Sequence, residues 1–244
     1  MNFVLVHGTW HGGWQWRDVR HILRAAGHQV FTPSCTGCGD RVHLDTPEVG
    51  LQTHVDDIKN LILAEELDDV ILVGHSFAGV TITTVVDQLG DRIKELVYLD
   101  ALVPAGDVIT CVPRDKETGQ LPDWWREREK HFLNGHQMVL WNDYPVEMLV
   151  PTSATEHIAR LKKLITTHPA KQWSDQYALK NDGFRNHKRS YVHCSGQEYK
   201  ESSIFMWGEA KKPGWDYYDI DTPRNCMMTH PDVVAELLLK ITKS

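Results

Sequence analysis

The chain has 244 residues, 41% of them hydrophobic and 24% charged, with a formal net charge of −7. That apolar content can fill a core and argues against a globally disordered chain, while the acidic balance argues against nucleic acid or an anionic membrane as the main partner. The five cysteines are an odd, scattered set, which reads as reduced thiols in a cytoplasmic setting.

The opening MNFVLVHG runs straight into an apolar segment, with no basic stretch and long apolar run that would mark a signal peptide. No apolar run approaches the length that spans a bilayer. FVLVHG (3–8) is expected to be a buried strand, WRDVRHILRAAG (16–27) a helix closed by Gly27, and HQVFTPS (28–34) a second strand stopped by Pro33. The Cys35 and Cys38 pair in SCTGCGDR is a lone C-x-x-C and reads as a loop rather than a zinc or redox site. LQTHVDDIKNLILAEEL (51–67) has a helical stripe of Val55, Ile58, Ile62 and Leu63. DVILVG (69–74) predicts a strand, FAGVTITTVVDQLG (77–90) a buried helix and IKELVYLDA (93–101) another strand. From about Val103 to Arg189 the alternation breaks into a charged, aromatic stretch with a helix near TEHIARLKKLITTH, and its REREK run reads as a solvated helix face. RSYVHCS (189–195) and WDYYDID (215–221) restore strands, and PDVVAELLLKI (231–241) closes as a helix. Alternating strand and helix predict an α/β fold: a mostly parallel sheet flanked by helices, with residues 1–103 and 189–244 as core and 104–188 as an inserted helical cap.

VILVGHSFAGV places Ser76 between an apolar strand and an apolar helix, in G-x-S-x-A followed by Gly79. That pattern is a nucleophile elbow with Ala78 in the last glycine's place. Small residues at 74, 78 and 79 permit the tight turn, which lifts the hydroxyl above the sheet and aims the Phe77 amide at a developing oxyanion. The loop VHGTWHGGWQW (6–16) offers Thr9 as the second amide. His7 and His11 stand at i, i+4, but glycines break the helix such a metal pair requires, so both are read as structural or pocket-wall residues.

The motifs VHGTWHGGWQW, TPSCTGCGDRVHL, VGHSFAGV and VYLDALVP resemble the α/β-hydrolase superfamily, and within it the branch of plant methylesterases, hydroxynitrile lyases and bacterial esterase relatives. The resemblance implies the α/β-hydrolase fold and a serine–histidine–acid triad on a small-molecule substrate. Ser76 matches the serine. The usual acid position falls on Gln197, beside Glu198, so the acid is expected to be Asp100 from YLDALVP, with Glu198 as the alternative. The family histidine stands seven residues before the proline that opens the last helix, and here that residue is Arg224; His230 is the alternative in a shifted register.

An arginine is charged at any working pH and cannot accept the serine proton, but it can hold a carboxylate or stabilise an enolate or alkoxide. The expectation is therefore an esterase-like enzyme acting on an ester or other carbonyl compound. Non-hydrolytic carbonyl chemistry (a lyase, decarboxylase or cyclase) or ligand binding without turnover stand as alternatives. Trp10, His75, Trp124 and Trp125 are candidate substrate contacts, with Trp141 and Tyr144 near them in the cap. No dinucleotide fingerprint or metal-ligand spacing occurs, so no cofactor or metal is expected. A homodimer is compatible with a cap of this size.

Overall fold

The computed structural model describes residues 1–197 and 209–243. Six strands form one sheet: β1 (Asn2–Val6), β2 (Gln29–Phe31), β3 (Val70–His75), β4 (Ile93–Leu99), β5 (Lys188–Cys194) and β6 (Asp216–Ile220). Their order across the sheet is β6-β5-β4-β3-β1-β2, and every neighbouring pair is parallel. Parallel neighbours need crossovers. These are supplied by α1 (Arg17–Ala25), α2 (Leu51–Ala64) and α3 (Ala78–Leu89), with α4 (Asp123–Glu129) and α5 (Thr155–Leu164) in the long β4–β5 connection and α6 (Pro231–Ile241) at the end.

Strand alternation divides the apolar side chains between two cores. Phe3, Leu5, Ile71, Val73, Val97 and Leu99 face α1 and α6, where Val19, Leu23, Val234 and Leu238 meet them. Val4, Val6, Val70, Leu72, Leu96 and Tyr98 face α2 and α3 on the other side. Both faces are thus covered, which is why the strands read as continuous apolar runs rather than as alternations of apolar and polar residues. Each such aliphatic side chain contributes about 1.5–3 kcal/mol on full burial.

The helix ends follow local rules. After α1, His28 N–H donates to the Leu23 carbonyl and Gly27 N–H to that of Arg24, with Gly27 at φ +85°. This Schellman closure uses the glycine expected there. The stripe of α2 differs in one member: Val55, Ile58 and Ile62 are buried together with Leu51 and His54, whereas Leu63 is 44% exposed, one step round the helix from Ile62.

The β4–β5 connection carries α4, α5, several single turns and two short antiparallel ladders, Val108–Ile109 with Tyr177–Ala178 and Gln137–Met138 with His168–Pro169. Its helix near 155–168 stops at Leu164, and Thr166 N–H instead donates to the Trp10 carbonyl, tying this segment to the loop after β1. In the charge run Arg126, Glu127, Glu129 and Lys130 are exposed, but Arg128 turns inward, over the rings of Trp125, Tyr144 and Trp173 at 5.2–5.8 Å. The cysteines of the chain are free, and among the described residues no helix is long and apolar enough to cross a membrane.

Candidate active site

Three loops meet above the carboxyl ends of β1, β3 and β4, the edge at which open α/β sheets bind ligands. Each contains a non-glycine residue in the left-handed backbone region: Trp10 at φ +66°, Ser76 at +56° and Asp100 at +42°. Such conformations have an energetic cost and persist only where the surroundings fix them. Here the fixing contacts join the loops. Ser76 N–H donates to the Leu99 carbonyl, Leu102 N–H to the Ser76 carbonyl, and Asp100 N–H to the Val192 carbonyl. Two glycines allow this crowding: a Cβ on Gly8 would lie 2.8 Å from Ser76 Cβ, and one on Gly79 would lie 2.0 Å from the Leu102 carbonyl oxygen.

The turn at Ser76 leaves its side chain half-buried in the wall of a cavity of about 810 Å³. Aromatic rings of Trp10, Trp124, Tyr144 and Trp173 line it, and among the described residues none that lines it is an aspartate or glutamate. Phe77 turns its ring away, stacked on Trp173 at 5.3 Å, while its N–H remains at the start of α3. Neither the Phe77 N–H nor the Thr9 N–H donates to another group among the described residues, so both amides are available to a ligand oxygen.

Arg224 is buried beside Ser76. Its Nη2 donates to Ser76 Oγ at 2.8 Å and its Nη1 to Asp100 Oδ2 at 2.7 Å. Asp100 is fully buried and also accepts from Gln197 Nε2 at 3.0 Å. Burial pushes its carboxyl above the usual carboxylate range, and the Arg224 charge is the main force pulling it back. A serine, an arginine and an aspartate thus stand in line.

The other expected residues separate. His230 is exposed at the start of α6, where its Nδ1 pairs with Thr229 Oγ1, and it lines a different cleft with Pro151, His157 and Pro223. Glu198 lies outside the described residues. Trp124 lines the cavity with 52% of its surface exposed, whereas Trp125 is buried, parallel to Trp173 at 6.2 Å, and does not line it.

His75 and His11 line the cavity, and a hydrogen-bond chain sets their tautomers. His75 Nε2–H donates to the Arg224 carbonyl at 3.2 Å, so its Nδ1 accepts from Gln15 Nε2, also at 3.2 Å. Gln15 gives a second hydrogen to Asn225 Oδ1 at 3.1 Å. Asn225 Nδ2 in turn donates to His11 Nε2 at 3.0 Å, and His11 Nδ1–H reaches the Thr9 carbonyl at 2.7 Å. The chain runs unbroken from the backbone of Arg224 to that of Thr9, and its roles are consistent only with neutral imidazoles. Burial, reinforced by the Arg224 charge, holds His75 well below its ordinary value and takes His11 down to about 3. Neither ring is a base at neutral pH.

Sequence reasoning missed Gln15, Asn225, Arg128 and Trp173. Gln15 stands inside the VHGTWHGGWQW loop and Arg128 inside the REREK run without any spacing that marks them for the site, and Gln15 and Asn225 meet across 210 positions of sequence. Asn225 adjoins Arg224, which is the one local hint.

Among the described residues no group of three or more His, Cys, Asp or Glu side chains could hold a metal ion. Cys38 and His168 contact each other at 3.3 Å beneath the loop after β1, and His168 Nδ1 also lies 3.4 Å from the Trp10 N–H, as a structural support.

A strained serine at a strand–helix turn above a parallel sheet leads to comparison with known proteins. A carbendazim hydrolyzing esterase of Nocardioides sp. (strain SG-4G) is 37% identical, over 97% of this chain and 98% of the relative. Methylesterase 2 of Arabidopsis thaliana is 33% identical over 98% of this chain and 95% of its own length. Among solved structures, an extracellular alpha/beta-hydrolase from a Paenibacillus species shares the fold, with a TM-score of 0.81 at 23% identity and coverage of 99% of this chain and 98% of the other. The model of the alpha/beta hydrolase family matches residues 3–237, and the chain belongs to that family.

Proposed function

We propose that this chain is an esterase-like hydrolase of small-molecule esters in which Ser76 is the nucleophile, the Thr9 and Phe77 amides receive the oxyanion, and a Ser76–Arg224–Asp100 line stands in place of a serine–histidine–acid triad. The single observation carrying this reading is the pair of contacts from one guanidinium, 2.8 Å to Ser76 Oγ and 2.7 Å to Asp100 Oδ2. The stretch 104–188 acts as the cap over this site, with Trp124, Tyr144 and Trp173 as its aromatic wall.

Arg224 cannot take the Ser76 proton, so its role differs from that of a histidine. A charge-assisted hydrogen bond to Oγ favours the alkoxide. The proton leaves to hydroxide, giving water and Ser76–O⁻. The alkoxide adds to the ester carbonyl, whose oxygen takes the negative charge between the two amides. Collapse expels the alcohol part and leaves an acyl-serine. Hydroxide then adds to the acyl carbonyl, and Arg224 stabilises Oγ as it departs.

Because hydroxide supplies the base, kcat/KM for an activated ester is expected to climb about tenfold per pH unit between roughly pH 6 and 9. An imidazole base would instead level off above a pKa near 6.5. Ser76→Ala is expected to abolish turnover and also the mass increase produced by an alkyl fluorophosphonate. A plateau near neutrality, or unchanged turnover in Ser76→Ala, overturns the reading. The second outcome would favour non-hydrolytic carbonyl chemistry, an alternative supported by the absence of a basic imidazole beside Ser76 among the described residues.

A further inference from the structure

On the reading that Ser76 is the nucleophile, we infer that the substrates are esters of acidic alcohols, aryl or enol esters above all, and that simple alkyl esters are poor substrates. The reason is the residue facing the reacting oxygen. A histidine that has taken the serine proton can return it to the departing alcohol. The Arg224 guanidinium neither accepts that proton nor gives one up, and Asp100, whose Oδ2 accepts from Arg224 Nη1 and Gln197 Nε2, is fully buried and does not line the cavity. His75 and His11 are closed off by the chain through Gln15 and Asn225, each with one nitrogen donating to a backbone carbonyl.

The tetrahedral intermediate carries two oxygens able to leave, Ser76 Oγ and the oxygen of the alcohol. The less basic one leaves. Arg224 at 2.8 Å makes Oγ less basic than an ordinary serine alkoxide. An alkyl alcohol, with a pKa close to the 15.7 or so of water, then leaves more slowly than Oγ, and the intermediate returns to ester. A phenol, with a pKa of about 10, departs as phenolate with no proton donor, so the C–O bond to the leaving group breaks and acyl-Ser76 remains. The phenolate takes its proton from solvent afterwards.

The cavity agrees with this chemistry. Its aromatic walls, Trp10, Trp124, Tyr144 and Trp173, suit a flat ring. Among the described residues no aspartate or glutamate lines it, and Arg128 and Arg224 there carry the charge opposite to that of a departing phenolate.

The test is a leaving-group series at fixed acyl group: ethyl, phenyl and 4-nitrophenyl acetate with the native protein and with Arg224→His. Phenyl acetate is expected to exceed ethyl acetate in kcat/KM by about the 10²–10⁴ that a positioned proton donor contributes. Arg224→His should narrow that ratio at least tenfold by restoring a group that carries the proton. Native turnover of ethyl acetate within tenfold of phenyl acetate overturns the inference while leaving Ser76 as nucleophile. Failure to turn over any ester, with no fluorophosphonate labelling, overturns both. The native series stands by itself even where Arg224→His does not fold.

Discussion

Asp100 and Arg224 are 0% and 3% exposed, and among the described ion pairs theirs is the one with both side chains withdrawn from solvent. Removing one partner of such a pair typically costs about 3–5 kcal/mol, because the other charge stays buried. The two removals are not equivalent. In Asp100→Ala the guanidinium remains charged at every accessible pH. In Arg224→Met the carboxyl, already pushed up by burial, can take a proton and become neutral. Its folded pKa then lies above the unfolded value, so the favourable protonated state is complete below the unfolded pKa and is lost as pH rises through the folded one. Urea denaturation is expected to give the larger loss for Asp100→Ala, and a loss for Arg224→Met that shrinks relative to the native protein as pH falls toward the unfolded carboxyl value of about 3.9. Equal, pH-independent losses would mean that the pair is not held as a buried ion pair. Arg224 was legible in the sequence only through register against a family pattern, and Asp100 only as one of two carboxyls near strand ends. That one guanidinium touches both Asp100 and Ser76 is a tertiary fact that spacing does not encode.

At the scale of elements, legibility was high for a physical reason: the central strands are short apolar runs and the flanking helices carry a helical hydrophobic period, both of them local properties. The β4–β5 connection was harder, since its short turns and two-residue ladders take their shape from contacts such as Thr166 N–H with the Trp10 carbonyl. Glycines make the contrast testable. Gly27, which closes α1 at φ +85°, has open space where a Cβ would stand, so Gly27→Ala incurs only the backbone penalty of about 1–2 kcal/mol. Gly79 sits in the first turn of α3, and a Cβ there meets the backbone of Leu102, whose N–H holds the Ser76 carbonyl at 2.9 Å. Gly79→Ala is expected to lose about 3 kcal/mol or more by overpacking and, by displacing Leu102, to reduce kcat/KM as well. Gly27→Ala should leave kcat/KM unchanged. Urea midpoints and ester kinetics on the two variants separate the cases, and equal activities would remove the proposed tie between Gly79 and the geometry at Ser76.

Over the whole molecule, the buried histidines fix how the protein responds to acid. Burial takes His7 and His54 down to about 4 and His11 to about 3, and it holds His75 and His168 well below the ordinary value of 6.5. Three of these rings use both nitrogens on neighbours: His7 joins the Gly8 carbonyl to the Cys35 N–H, and His75 and His11 belong to the chain between Arg224 and Thr9. In the unfolded chain each titrates near 6.5, whereas in the folded state each stays neutral. Between those values the unfolded state binds more protons, so stability present above about pH 6.5 is lost as pH falls. Each ring that remains neutral costs about 2 kcal/mol on going from pH 7.5 to 5. Asp45, Glu95 and Asp100 act in the opposite sense, because burial raises them above the unfolded value. The five histidines outnumber these three carboxyls, so the net change toward acid is a loss from a stability that in an ordinary domain is only about 5–15 kcal/mol. Circular dichroism against pH should show cooperative unfolding that begins near pH 6, above the range in which exposed carboxylates titrate. His54→Gln, which retains a donor toward the Thr36 carbonyl, should make that transition shallower. A signal flat down to pH 4 would mean that these rings are not held neutral, and the oriented chain from Thr9 to Arg224 would fail with them.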